Sequence, residues 1–156
     1  MIEILGKINV QSIDCRNVAG GGSGNYSRQE ILAALPKTLG GQLHGFIAQG
    51  QEPNKKLRDS IIRACRKHYL STKYKRRWTK KAMDLFDDEI DDLTNLALTQ
   101  ICTGKAITVR YLATKRNEPQ TTFFRNYYDV YLEIQNHINN SLIVARRRFN
   151  EKIQKN

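Results

Sequence analysis

Neither a Cys-x-x-Cys nor a His-x-x-x-His pair occurs in this chain of 156 residues. Its three cysteines, Cys15, Cys65 and Cys102, are odd in number and widely spaced, which argues against a disulfide framework or a structural zinc site. His44, His68 and His137 are equally scattered and are read as ordinary core or surface histidines. No apolar run approaches the roughly 18 residues that cross a bilayer, and residues 1–7 do not open a secretory signal. The expectation is therefore a cytoplasmic protein without a membrane span. Acid is also scarce. There are 15 Asp and Glu against 26 Lys and Arg, a net charge of +11. Gly-x-Ser-x-Gly, Walker-type and Cys/His catalytic signatures are all missing, so nothing points to an enzyme, and no cofactor is expected.

An excess of positive charge speaks to partners rather than to fold. With a pI near 9.8, the expected partner is a polyanion: nucleic acid first, an anionic membrane surface second. A mean hydropathy of −0.58 still leaves apolar residues for one core, and the length suits about one domain.

Apolar periodicity makes the chain mainly α: a small helical domain with a C-terminal helix-turn-helix and a long last helix, after an irregular N-terminal segment. Residues 1–26 read as a flexible or partner-ordered segment, broken by Gly20-Gly-Gly-Ser-Gly24. Residues 27–92 read as a basic helical region, and residues 93–156 as the helix-turn-helix region. Ser27 and Glu30 have capping-box spacing before a short helix to about Leu35, which Pro36 and Gly40-Gly41 are expected to end. Pro53 is expected to open the next helix, and Thr103-Gly104 to stop the apolar helix through Leu93, Ala97 and Ile101. The last helix should open at Pro119 and run to about Lys152, with a break near Asn139-Asn140 left open.

Charge is segregated along the chain. Residues 55–81 carry twelve cations against one acid, Asp59, with Tyr69, Tyr74 and Trp78 interleaved. Lys73, Lys75, Arg76, Arg77, Lys80 and Lys81 are candidates for phosphate contact, and the aromatics for stacking on unpaired bases; a solvated basic face with core aromatics is the alternative. Residues 84–92 reverse the sign, with Asp84, Asp87, Asp88, Glu89, Asp91 and Asp92. Three uses stand open for them: helix-start and intrachain pairing, a surface for a basic partner, or a Mg²⁺ site of a nuclease. Arg146-Arg147-Arg148 and Lys152 near the C-terminus suit a helix dipole or a further backbone contact.

Residues 106–128 have helix-turn-helix spacing. Leu112 and Phe123 would face the core, Ala113 would let two helices cross closely, and Asn117 would take the left-handed conformation at the turn. The second helix would then present Gln120, Thr121, Thr122, Arg125 and Asn126 to a groove, because Arg pairs with guanine and Asn or Gln with adenine in bidentate fashion. Arg110, Lys115 and Arg116 would stand near phosphate. Arg116 and Glu118 depart from the pattern, occupying positions that such motifs usually fill with apolar side chains.

This layout, an apolar helix at Leu93–Ile101, then Thr103-Gly104-Lys105, a short helix, a polar turn and a long helix with a basic tail, resembles region 4 of sigma factors. More narrowly, the chain is similar to the short, zinc-free group of bacteriophage late-gene antitermination proteins of the Q type, over its last 60 residues or so and loosely elsewhere. The resemblance implies a protein that binds double-stranded DNA at a late promoter, engages the host's RNA polymerase with or without its sigma factor, and lets it pass terminators. Nascent RNA would be a further partner. By that resemblance Gln120, Thr121, Thr122, Arg125 and Asn126 fall on the DNA-reading helix, and Arg110, Lys115 and Arg116 on its support.

Overall fold

The computed structural model describes residues 27–105 and 108–155. The expectation of an irregular segment at residues 1–26 lies outside them. Among the described residues all regular structure is helical. The helices are α1 (Arg28–Ala34), α2 (Leu39–Ala48), α3 (Lys55–Thr72), α4 (Lys80–Met83), α5 (Asp87–Thr103), α6 (Val109–Lys115), α7 (Gln120–Phe123) and α8 (Asp129–Gln154). A 3₁₀ turn (Lys73–Lys75) follows α3, and a π-helical segment (Phe124–Tyr128) joins α7 to α8.

The chain divides into two compact units. One holds residues 27–58 and 138–155 among those described, and the other Asp59–His137. Both α3 and α8 contribute residues to each unit.

In the first unit, the capping box forms as its spacing predicts. Glu30 accepts from the Ser27 amide (2.6 Å), and Ser27 Oγ accepts from the Glu30 amide (3.2 Å). Gly40-Gly41 does not end α1, however. Both glycines lie buried inside α2, whose start is capped by Thr38 through its hydroxyl and the Gly41 amide. The reason is close approach: a Cβ on Gly40 would stand 2.3 Å from the Ser141 carbonyl oxygen, and one on Gly41 1.9 Å from that of Pro36. Their lack of a side chain is used for backbone contact rather than to break the helix. Likewise α3 starts at Lys55, with Asn54 capping the Leu57 amide (2.9 Å), and not at Pro53. His44 is fully buried and its Nε2 donates to the Leu142 carbonyl (2.8 Å). Leu35 and Phe149 form an apolar contact flanked by Ala34 and Ile153. Helix α8 passes Asn139 and Asn140 unbroken, with Asn139 buried.

The second unit buries Ile61, Cys65 and Tyr69 of α3, Ile90, Leu93, Ala97, Leu98 and Ile101 of α5, Leu112 and Ala113 of α6, and Val130, Tyr131 and Ile134 of α8. Glu89 reaches back to the Phe86 amide (3.1 Å) at the start of α5, and Gly104 ends that helix in the left-handed region (φ 68°), donating to the Gln100 carbonyl (2.9 Å). Burial pushes the Cys65 thiol up to about 11, so it stays protonated and inert.

Candidate nucleic-acid interface

The helix-turn-helix lies within the second unit and is built by local chemistry. Thr108 caps α6, its hydroxyl accepting from the Tyr111 amide (3.1 Å). At the other end Asn117 takes φ 54°, the one non-glycine residue with positive φ among those described. Its amide donates to the Thr114 carbonyl (3.0 Å), and the Glu118 amide reaches the Ala113 carbonyl (2.9 Å). These two bonds make a Schellman ending, in which a left-handed residue reverses the chain while the last carbonyls stay paired. Pro119, extended at ψ 143°, then leads into α7, and its carbonyl accepts the first helical bond from the Phe123 amide (3.0 Å). Leu112, Ala113 and Phe123 are buried at the crossing of α6 and α7, as their spacing predicts.

That crossing leaves several polar side chains facing water. Gln120, Thr121, Thr122 and Arg125 are exposed, together with Arg110 and Lys115 of α6. They comprise an amide (Gln120), two hydroxyls (Thr121 and Thr122) and three cations (Arg110, Lys115 and Arg125), a mixture suited to base edges and phosphates. Asn126, inside the π-helical segment, is half-buried. The same segment leaves Phe124 59% exposed and stacked on Tyr128, with ring centroids 5.3 Å apart. No signal in the sequence announces a π turn.

Arg116 is placed differently from Arg110 and Lys115. Its side chain is 11% exposed and sits among three carboxylates, with Asp92 at 2.9 Å, Glu89 at 3.7 Å and Glu118 at 3.8 Å. It also lies over the Tyr127 ring, 4.7 Å from its centroid. So the two residues that depart from the usual apolar pattern, Arg116 and Glu118, are paired with each other and with α5. Arg116 is thereby withdrawn from the phosphate-facing set. Burial alone would raise the Glu89 carboxyl; the Phe86 amide, the Tyr127 hydroxyl, Lys81 and Arg116 outweigh it and hold the group below the usual carboxylate range. Tyr127 is correspondingly pushed up to about 12, by burial first and by the Glu89 carboxylate beside it second.

Pairing also absorbs other acids of residues 84–92. Arg66 makes a two-pronged contact with Asp91 and lies 3.9 Å from Asp87, while Lys81 lies 3.7 Å from Glu89. Of the three uses open for this cluster, intrachain pairing is the one the geometry displays. Among the described residues no three His, Cys, Asp or Glu side chains converge to hold a metal ion.

In the basic stretch, Lys75, Arg77 and Lys80 are exposed, Lys73 is half-buried, Arg76 is exposed yet bonded to Glu133 (3.1 Å), and Lys81 is exposed beside Glu89. The aromatics divide as well. Trp78 is half-buried and stacks on the buried Tyr69 (6.1 Å between centroids), whereas Tyr74 is 79% exposed.

No family model, no curated protein and no solved structure matches this chain. The candidate interface therefore stands on its own geometry. No helix among the described residues is long and apolar enough to cross a membrane.

Proposed function

We propose that the chain is a regulator of transcription that binds duplex DNA through its helix-turn-helix, and that it acts as a phage late-gene antitermination factor in the host cytoplasm. The observation that carries the DNA reading is the Schellman-closed turn at Asn117, which delivers a helix start with Gln120, Thr121, Thr122 and Arg125 all exposed. Such a helix start is the part that enters a major groove in this class of motif. Arg125 reads a guanine, Gln120 an adenine, and Arg110 and Lys115 hold phosphate. The net charge of +11 supplies the long-range attraction to DNA. Antitermination rests on the resemblance of the last 60 residues or so to the Q-type group, with RNA polymerase as the protein partner.

The test is single-round transcription from a phage late promoter upstream of an intrinsic terminator, with and without the purified protein. Added read-through that Arg125→Ala abolishes supports the whole reading. A promoter gel shift without read-through leaves a DNA-binding regulator that does not travel with polymerase. Neither effect removes both parts.

A further inference from the structure

We propose that residues 73–86 form a second nucleic-acid site, separate in function from the helix-turn-helix, on which unpaired bases of a single strand stack against Tyr74 and Phe86. These two rings are the most exposed large apolar side chains among the described residues, at 79% and 69%. Each ring carries a cation: Lys73 Nζ is 5.1 Å from the Tyr74 centroid, and Lys81 Nζ is 5.7 Å from that of Phe86. Tyr69 brings the two parts of the segment together. Its hydroxyl donates to the Ala82 carbonyl (2.7 Å) and accepts from the Leu85 amide (3.0 Å), while Lys73 lies over the Tyr69 ring as well as over that of Tyr74. The 3₁₀ turn bearing Tyr74 also packs on α4.

The chemistry of the patch selects the ligand. Exposed Lys75, Arg77 and Lys80, which lie between Tyr74 and Phe86 in sequence, favour a polyanion at the Tyr74 end of the segment, while the exposed acids Asp84, Asp87 and Asp88 flank Phe86 in sequence. A ring that stacks needs the face of a base, and in a paired duplex both faces are covered by neighbours. A positively charged track with projecting aromatics is the arrangement that holds single strands with little sequence preference.

This inference does not depend on the duplex reading, and its test separates the two. Fluorescence anisotropy of labelled oligo-dT and oligo-U, about 12 nucleotides long to fit the usual site sizes, is measured with the full chain and its variants. Tyr74→Ala should weaken single-strand binding about tenfold, and Tyr74→Trp should restore it, because stacking needs only a π face. Lys75→Ala should lower the salt slope by about 0.7, the share of one phosphate contact on a single strand. Unaltered binding by Tyr74→Ala would overturn the proposal. So would failure of Tyr74→Trp to restore it while its circular dichroism matches the parent, or an equal loss on a fully paired duplex or on phosphatidylserine vesicles. The oligo-dT and oligo-U arms tell whether the strand is DNA or RNA.

Discussion

The Arg116 guanidinium lies 4.7 Å from the centre of the Tyr127 ring, joining the end of α6 to the π-helical segment that follows α7. Glu89 takes part from α5, 3.7 Å from Arg116 and hydrogen-bonded by the Tyr127 hydroxyl. A polar knot therefore stands where such motifs usually place an apolar contact. Removing Arg116 takes that cation from Glu118 and leaves Glu89 with Lys81, the Phe86 amide and the Tyr127 hydroxyl, so partly buried carboxylates lose part of their compensation. Arg116→Ala should cost about 2–4 kcal/mol in urea unfolding. The DNA-binding salt slope of the folded variant should stay at the parent's value, whereas a direct phosphate contact would lower it by about 0.9.

Asn117 holds the turn at φ 54°. Asn117→Gly should be nearly neutral, since glycine takes this conformation without a steric penalty. Asn117→Val should lose about 1–2 kcal/mol, because a branched Cβ crowds the following carbonyl there. Thermal unfolding of the two variants side by side checks the order, and equal midpoints would contradict it.

In the first unit, Gly40 lies against the Ser141 backbone, with 2.3 Å between a built Cβ and the carbonyl oxygen. Backbone cannot rotate away as a side chain can. Gly40→Ala should therefore destabilise by about 1–3 kcal/mol, although alanine is ordinarily the better helix former. Denaturant midpoints decide it: a gain in stability would show that α2 is free to move off α8.

His44 carries the clearest pH dependence. Burial pushes its pKa from 6.5 down to about 4, helped by Arg146 and opposed by the bond to the Leu142 carbonyl. The folded state prefers the neutral ring, and the unfolded state binds the extra proton. This contribution to stability is complete above about pH 6.5 and is lost progressively as pH falls toward 4, by roughly 2–3 kcal/mol in all. Unfolding free energies measured at pH 7 and pH 4.5 should converge more closely in His44→Gln, which retains a donor but does not titrate.

The sequence pattern made the helical class and the turn readable because both rest on local rules. The Ser27–Glu30 box, the left-handed residue at 117 and the buried Leu112, Ala113 and Phe123 follow from spacing alone. The misreadings share a different cause, which is contact between distant residues. Gly40-Gly41 reads as a helix end until the Ser141 backbone is found against Gly40. Arg116 reads as a phosphate ligand until Glu89 and Asp92 are found around it. The π turn at Phe124–Tyr128, which holds exposed Phe124 and half-buried Asn126, has no composition signal at all.

Reading of DNA by this chain rests on the exposed side chains of Gln120, Thr121, Thr122 and Arg125. The decisive measurement is the affinity of the parent and Arg125→Ala for a late-promoter duplex and for a random duplex of equal length, at two salt concentrations. On the promoter duplex Arg125→Ala should lose about 1–3 kcal/mol, the worth of one bidentate base contact, and on random DNA it should lose far less. Equal loss on both duplexes would make Arg125 a phosphate contact. No loss on either would mean that this helix start does not read DNA.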